Sequence, residues 1–140
     1  MSKVPRILLL VCLLLLSATA LAAGKGRTRG LEEAQYAWSA AVRWGDFEGA
    51  WNLVAPQERQ AHPLSDIDFS RYKQVQVSTY RDLGSRALED GTVEREIEIG
   101  VVNRNTMVER TVRFRERWQY DPQAKAWWQV SGLPDLWQGE

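Results

Sequence analysis

Between Val93 and Tyr120, apolar and charged residues alternate almost one for one. Val93, Arg95, Ile97, Ile99 and Val101 share one parity, and Glu94, Glu96 and Glu98 share the other. After a turn over residues 103–106, Val112, Phe114, Glu116, Trp118 and Tyr120 alternate with Arg113, Arg115, Arg117 and Gln119. A period of two sends successive side chains to opposite faces, so this stretch predicts two half-buried antiparallel strands. The charges also predict the register. Pairing Glu94 with Arg117, Glu96 with Arg115 and Glu98 with Arg113 gives three opposite-charge pairs on a solvated outer face. A slip of one residue would turn those charges inward. The same register sets Arg95 opposite Glu116 on the apolar face, where a charge is costly unless paired. An inward Arg95–Glu116 ion pair is therefore expected.

The flanks complete the sheet. Residues 72–78 alternate again, with Val75 and Val77 opposed to Gln74, Gln76 and Ser78. Apolar parity is odd as far as Leu83 and even at Leu88, which predicts a one-residue bulge at Gly84. Asp90-Gly91 predicts a hairpin turn. Residues 121–125 turn the chain once more into a last strand over 126–131. The tail, 132–140, carries Pro134 and Trp137 and is expected to pack over an open end.

Upstream the period changes. Leu31, Ala34, Trp38, Ala41 and Val42 recur at helical spacing, with Glu32 and Glu33 in the first turn and Arg43 in the last, as the helix dipole favours. Gly45 is the stop. Asp46 is the expected cap of a second short helix with Phe47, Ala50, Trp51 and Val54 inward. Pro56 ends that helix or opens one more turn, and Ser65 is expected to cap a turn through Ser70. Helices followed by a run of antiparallel strands make an α+β fold, with the N-terminal helices packed on a strongly bent sheet.

The first residues follow a third pattern. Lys3 and Arg6 precede an unbroken apolar run over residues 7–16, and small residues with overlapping A-x-A exits follow. This is the pattern of a secretory signal peptide, with cleavage near Ala22 or Ala23. The expected division is a signal peptide over 1–23, a flexible basic tether over 24–30 and a single domain over 31–140. The alternative is an uncleaved anchor, since seventeen apolar and small residues lie at the lower edge of a bilayer span. The expected location is periplasmic or secreted.

The helix-stop-helix segment Ala40-Ala41-Val42-Arg43-Trp44-Gly45-Asp46-Phe47-Glu48-Gly49-Ala50-Trp51, the long bent strand after it, and the closing stretch from Tyr120-Asp121-Pro122 to Ala126-Trp127-Trp128-Gln129-Val130 resemble the nuclear transport factor two-like superfamily. The resemblance covers residues 31–132 and implies a cone-shaped α+β fold. Members include ketosteroid isomerases, polyketide cyclases, dehydratases, transport adaptors and periplasmic domains of secretion machines, so the fold does not choose a function.

Composition narrows the choice. The mature chain has about 117 of the 140 residues, enough for one small core. Its one cysteine, Cys12, lies in the apolar run, so no disulfide is expected. From Leu31 onward thirteen basic residues stand against eighteen acids, a balance that argues against nucleic acid as a partner. All seven tryptophans lie beyond the apolar run and predict a Trp-rich core or an aromatic pocket. With His62 the only histidine, in a polar turn, no metal site or cofactor is expected.

Isomerase-like members of the superfamily work with a pocket carboxylate and an acid or tyrosine facing the oxyanion. The candidates of that type here are Asp66, Asp68, Glu116, Tyr36, Tyr80 and Tyr120, and none sits in a recognisable catalytic motif. The expectation is therefore an exported accessory domain, without catalytic activity, that binds a small ligand or an envelope protein. Its expected pocket is Arg95, Glu116, Trp118, Tyr80 and Trp51. The alternatives are a small isomerase- or cyclase-type enzyme and a membrane-anchored envelope assembly factor. A homodimer through the sheet is a further option.

Overall fold

The computed structural model describes the backbone of residues 4–138 and the side chains of residues 23–138. It is an α+β protein. Four helices, α1 (Val4–Trp44), α2 (Phe47–Trp51), α3 (Pro56–Ala61) and α4 (Asp66–Tyr72), precede four strands, β1 (Val75–Ala87), β2 (Val93–Asn103), β3 (Glu109–Asp121) and β4 (Ala126–Gln129). The strands form one open antiparallel sheet in the order β1-β2-β3-β4. The signal-peptide reading of residues 1–23 lies, Ala23 apart, outside the residues whose side chains are described.

The helix ends follow local chemistry. At the end of α1, Gly45 adopts φ 74°, its N–H donates to Val42 O at 3.1 Å, and Asp46 N–H reaches back to Ala41 O at 2.9 Å. These two bonds satisfy carbonyls that the helix end leaves free. Asp46 then caps α2 by accepting from Gly49 N–H at 2.8 Å. Ser65 and Asp68 form a reciprocal capping box at α4. Buried Phe47 and Ala50 follow the expected inward pattern of the second helix, but the helix ends at Trp51, itself only half-buried, and Val54 is buried beyond it in a bridge to Gln129.

Three further boundaries differ from the sequence reading. Residues 24–30 continue α1 as helix despite their three glycines. Tertiary contacts support them: Trp127 Nε1 donates to Arg27 O at 2.8 Å, and the Arg27 guanidinium lies 4.2 Å over the Tyr120 ring. Glu32 and Glu33 consequently sit inside a helix rather than at its start. Tyr72 closes α4 instead of opening a strand. Its ring packs 4.6 Å from Phe47 and 4.9 Å from Trp137, and its hydroxyl donates to Pro134 O at 2.8 Å. β4 ends at Gln129, two residues short of the expected strand end. The buried Gln129 amide bonds the backbone of Ser131 and Gly132 and so directs the chain into the tail.

The β2–β3 register is the one the charges specify, including Glu94↔Arg117, Glu96↔Arg115, Glu98↔Arg113 and Arg95↔Glu116. On the β1–β2 side the pairing shifts between Asp82 and Gly84, as the parity change at Gly84 predicts, and shifts a second time between Val77 and Thr79. The second shift lies where Gly100 meets Thr79. A Cβ on Gly100 would approach Thr79 Oγ1 to 2.5 Å and Ser78 Oγ to 2.6 Å, so only glycine fits without displacing them. The core lies between the helices and the inner sheet face. It contains Trp38, Val42, Phe47, Val54, Ile97, Ile99, Val101, Val112 and Trp118, and buried Leu136 of the tail joins it.

Candidate functional site

On its inner face the sheet buries two charges. β2 supplies Arg95, β3 supplies Glu116 and Trp118, and β1 supplies Tyr80 through its pairing with Ile99. α1 closes the site from above with Ser39. Glu116 and Trp118 are fully buried, and Arg95 nearly so. Arg95 reaches Glu116 Oε2 through Nε at 2.9 Å and Nη2 at 2.7 Å. Trp118 Nε1 donates to the same oxygen at 3.0 Å. The other oxygen, Oε1, accepts from the Tyr80 hydroxyl. Arg95 Nη2 also donates to Tyr80 Oη at 3.2 Å and Ser39 Oγ at 3.1 Å, and the Ser39 hydroxyl in turn donates to Gln35 O at 2.8 Å. At the rim, Arg95 Nη1 lies 3.7 Å from Asp82, and Arg43 Nη2 donates to Tyr80 O at 3.1 Å.

The electrostatics follow from this burial. Desolvation raises the Glu116 carboxyl above its ordinary value, against the opposing pull of Arg95 and of the donors Tyr80 and Trp118. Burial and the neighbouring Glu116 charge push the Tyr80 hydroxyl well above its usual range. A phenol held in this way remains a hydrogen-bond donor and does not act as a base at neutral pH. The indole of Trp38 meets Trp118 edge-on, with ring centroids 6.1 Å apart, and both rings are fully buried.

Four of the five expected pocket residues therefore converge: Arg95, Glu116, Trp118 and Tyr80. Trp51 does not join them. It packs half-buried against the core from α2, on the other side of the Gly45 turn, and donates none of the described hydrogen bonds. The remaining carboxylate and tyrosine candidates are dispersed. Tyr36 is 77 % exposed on α1, Asp66 and Asp68 lie at the N-terminus of α4, and Tyr120 lies under Arg27. Ser39 was not a candidate. It lies on the α1 face that the helical period assigns to solvent, and nothing in its spacing distinguishes it. Among the described residues, no cluster of three His, Cys, Asp or Glu could hold a metal ion.

The outer face is built from the same register. Glu94 is 5 % exposed, although it points away from the core. Three guanidinium groups cover it: Arg86 at 2.6 Å, Arg117 at 3.3 Å and Arg115 at 3.4 Å. The face expected to be solvated thus has a carboxylate sunk beneath arginines. Hydrogen bonds from Arg86, then Arg117, hold the Glu94 carboxyl below its ordinary 4.5. A carboxyl with a depressed folded-state pKa stabilises the fold above the unfolded value, and that contribution is lost as pH falls through the folded value. Urea denaturation is expected to show the wild-type protein losing more stability than Glu94→Gln between about pH 5 and pH 3. Parallel pH profiles would contradict this account.

No family model, curated protein or solved structure matches this chain.

Proposed function

We propose that this chain is an exported accessory domain of the nuclear transport factor two-like kind, which binds a protein partner and carries out no catalysis. The Gly45-Asp46-Phe47 step between α1 and α2, and the helices laid over a bulged antiparallel sheet, support the family reading. One observation favours protein over small ligand. The fully buried carboxylate of the inner face, Glu116, already accepts from Tyr80, Arg95 and Trp118, and the buried rings of Trp38 and Trp118 pack edge-on against each other. A general base must lie within hydrogen-bond reach of a substrate proton. Here that reach is taken up by the protein's own donors.

Among the described residues, two grooves lie elsewhere, on the surface. One of about 620 Å³ is lined by Arg117, Gln119, Asp121 and Trp128, and another of about 710 Å³ by Arg27, Tyr120, Lys125 and Trp127. Surface contact is the mode of recognition these grooves offer. Native mass spectrometry of the protein from an envelope fraction, combined with N-terminal sequencing, tests the reading. The expected result is a chain beginning between Leu21 and Lys25, free of small ligand and present in complexes with another protein. A stoichiometric small ligand, retained by the wild-type protein and lost from Glu116→Gln, would overturn it.

A further inference from the structure

The outer face of β1–β3 carries an unequal distribution of charge. Register places Arg81 beside Glu98 and Arg86 beside Glu94 on β1, and Arg113, Arg115 and Arg117 beside the same acids on β3. Five arginines thus flank three glutamates. The arginine side chains are between 55 and 68 % exposed, while Glu94 and Glu98 are only 5 and 20 % exposed and Glu96 is 46 % exposed. Glu94 and Glu98 lie low and the guanidinium groups lie over them, so what solvent meets there is mostly arginine. Elsewhere in residues 31–140 eight basic residues stand against fifteen acids. This face is the exception on an acidic body.

Its geometry is directional. Arg115 and Arg117 reach Glu94 through Nε, and their terminal nitrogens stay available on half-exposed side chains. Each guanidinium has five donors and matches a carboxylate in two-point fashion. Arg113, Arg115 and Arg117 occupy every second position of one strand, so their spacing is about 6.6–6.8 Å, twice the strand rise. Gly84, opposite Glu96, leaves a depression of about 270 Å³ between Arg86 and Arg115, which Glu94 and Glu96 also line. The patch stops at Gly100, between Thr79 and Thr111. Beyond it, Glu109 is occupied by Ser78 Oγ at 2.9 Å.

We propose that this face docks an extended acidic segment of a partner protein, with carboxylates at every second residue. The proposal rests on the protein-binding reading above and names the partner's chemistry. Charge complementarity carries it: an alternating acidic strand has the same repeat as the arginine row. The partner's carboxylates take the outward guanidinium donors while Glu94 keeps the Nε contacts of Arg115 and Arg117, and Glu96 and Glu98 keep their contacts with Arg113 at 3.4 and 3.7 Å.

A fluorescently labelled peptide of alternating Glu and Thr, titrated with the exported chain, tests this by anisotropy. Binding is expected to weaken with added salt. The combined variant Arg113→Gln/Arg115→Gln/Arg117→Gln should lose roughly tenfold or more in affinity. A variant that removes equal charge elsewhere, Lys25→Gln/Arg29→Gln/Lys73→Gln, should keep it. A composition-matched peptide with its glutamates gathered at one end should bind more weakly. Hydrogen exchange on the wild-type complex should slow at residues 81–86 and 113–117, a readout independent of how well the arginine variant folds. No binding, equal loss in both variants, or protection elsewhere would overturn the proposal. So would preference for phosphatidylglycerol vesicles over the peptide. A cellular protein captured equally by the wild-type and arginine-variant chains would overturn this surface while leaving the protein-binding reading standing. A small ligand found in the interior would overturn that reading itself.

Discussion

Glu116→Ala is expected to lower the unfolding free energy by about 3–5 kcal/mol, because it leaves the Arg95 guanidinium buried without its counter-ion. Arg95 retains only Ser39, Tyr80 and the distant Asp82, and Tyr80 and Trp118 each lose their acceptor. Glu116→Gln should cost less, since the amide oxygen still accepts from Arg95 while its NH2 faces other donors. Removing both charges as Arg95→Met/Glu116→Leu should recover most of the loss, because a buried ion pair contributes little beyond what well-packed apolar side chains provide. Burial raises the Glu116 carboxyl, so its contribution to stability has the opposite sign to that of Glu94. It is full below the unfolded-state value and is lost as pH rises through the folded-state value. Chemical denaturation of the three variants across pH checks all of this. A Glu116→Ala protein as stable as the wild type would remove the ion pair from the account of the fold.

The ion pair was legible because two strong patterns coincide. Three glutamates and three arginines alternate in consecutive strands, and only one register pairs them all. That register then forces Arg95 against Glu116. The caps at Asp46 and Ser65 and the stop at Gly45 were legible for a similar reason, since each depends on the chemistry of three or four neighbouring residues.

What the sequence concealed depends on distant contacts. Glycine-rich residues 24–30 have poor helix propensity, yet Trp127 and Tyr120, about a hundred positions away, hold Arg27 in α1. The second bulge was hidden because Val75, Val77 and Leu83 suggest one unbroken parity. The contrary sign was Tyr80, an even position that faces inward beside Ile99, while Leu83 at 41 % exposure faces solvent. Trp51 shares the apolar stripe of α2 with Phe47 and Ala50, and periodicity alone could not show that the stripe is wider than the buried contact. Burial of Glu94 was hidden too, because alternation reports which face a residue takes and not how many arginines converge over it.

Trp118→Ala is expected to destabilise the protein by about 3–5 kcal/mol, the usual cost of deleting a fully buried tryptophan. The loss has two parts, and they can be separated. Trp118 packs edge-on against Trp38 at 6.1 Å, and its Nε1 is one of the donors to Glu116. Trp118→Phe keeps a large ring for the packing and removes the donor. Arg95 still supplies two bonds to the same carboxylate oxygen. The phenylalanine variant should therefore cost about 1.5–3 kcal/mol, the scale of one hydrogen bond to a charged group. If the tryptophan lined a ligand cavity, the enlarged space in Trp118→Ala would instead raise or change ligand capture with little effect on the fold. Thermal and urea unfolding of both variants, with native mass spectra of each, distinguish the outcomes. A large loss of stability in Trp118→Ala, a smaller one in Trp118→Phe and no bound small molecule in either would identify the aromatic interior as core. Its role is then to hold β1–β3 in register, and with them the row of arginines on the opposite face.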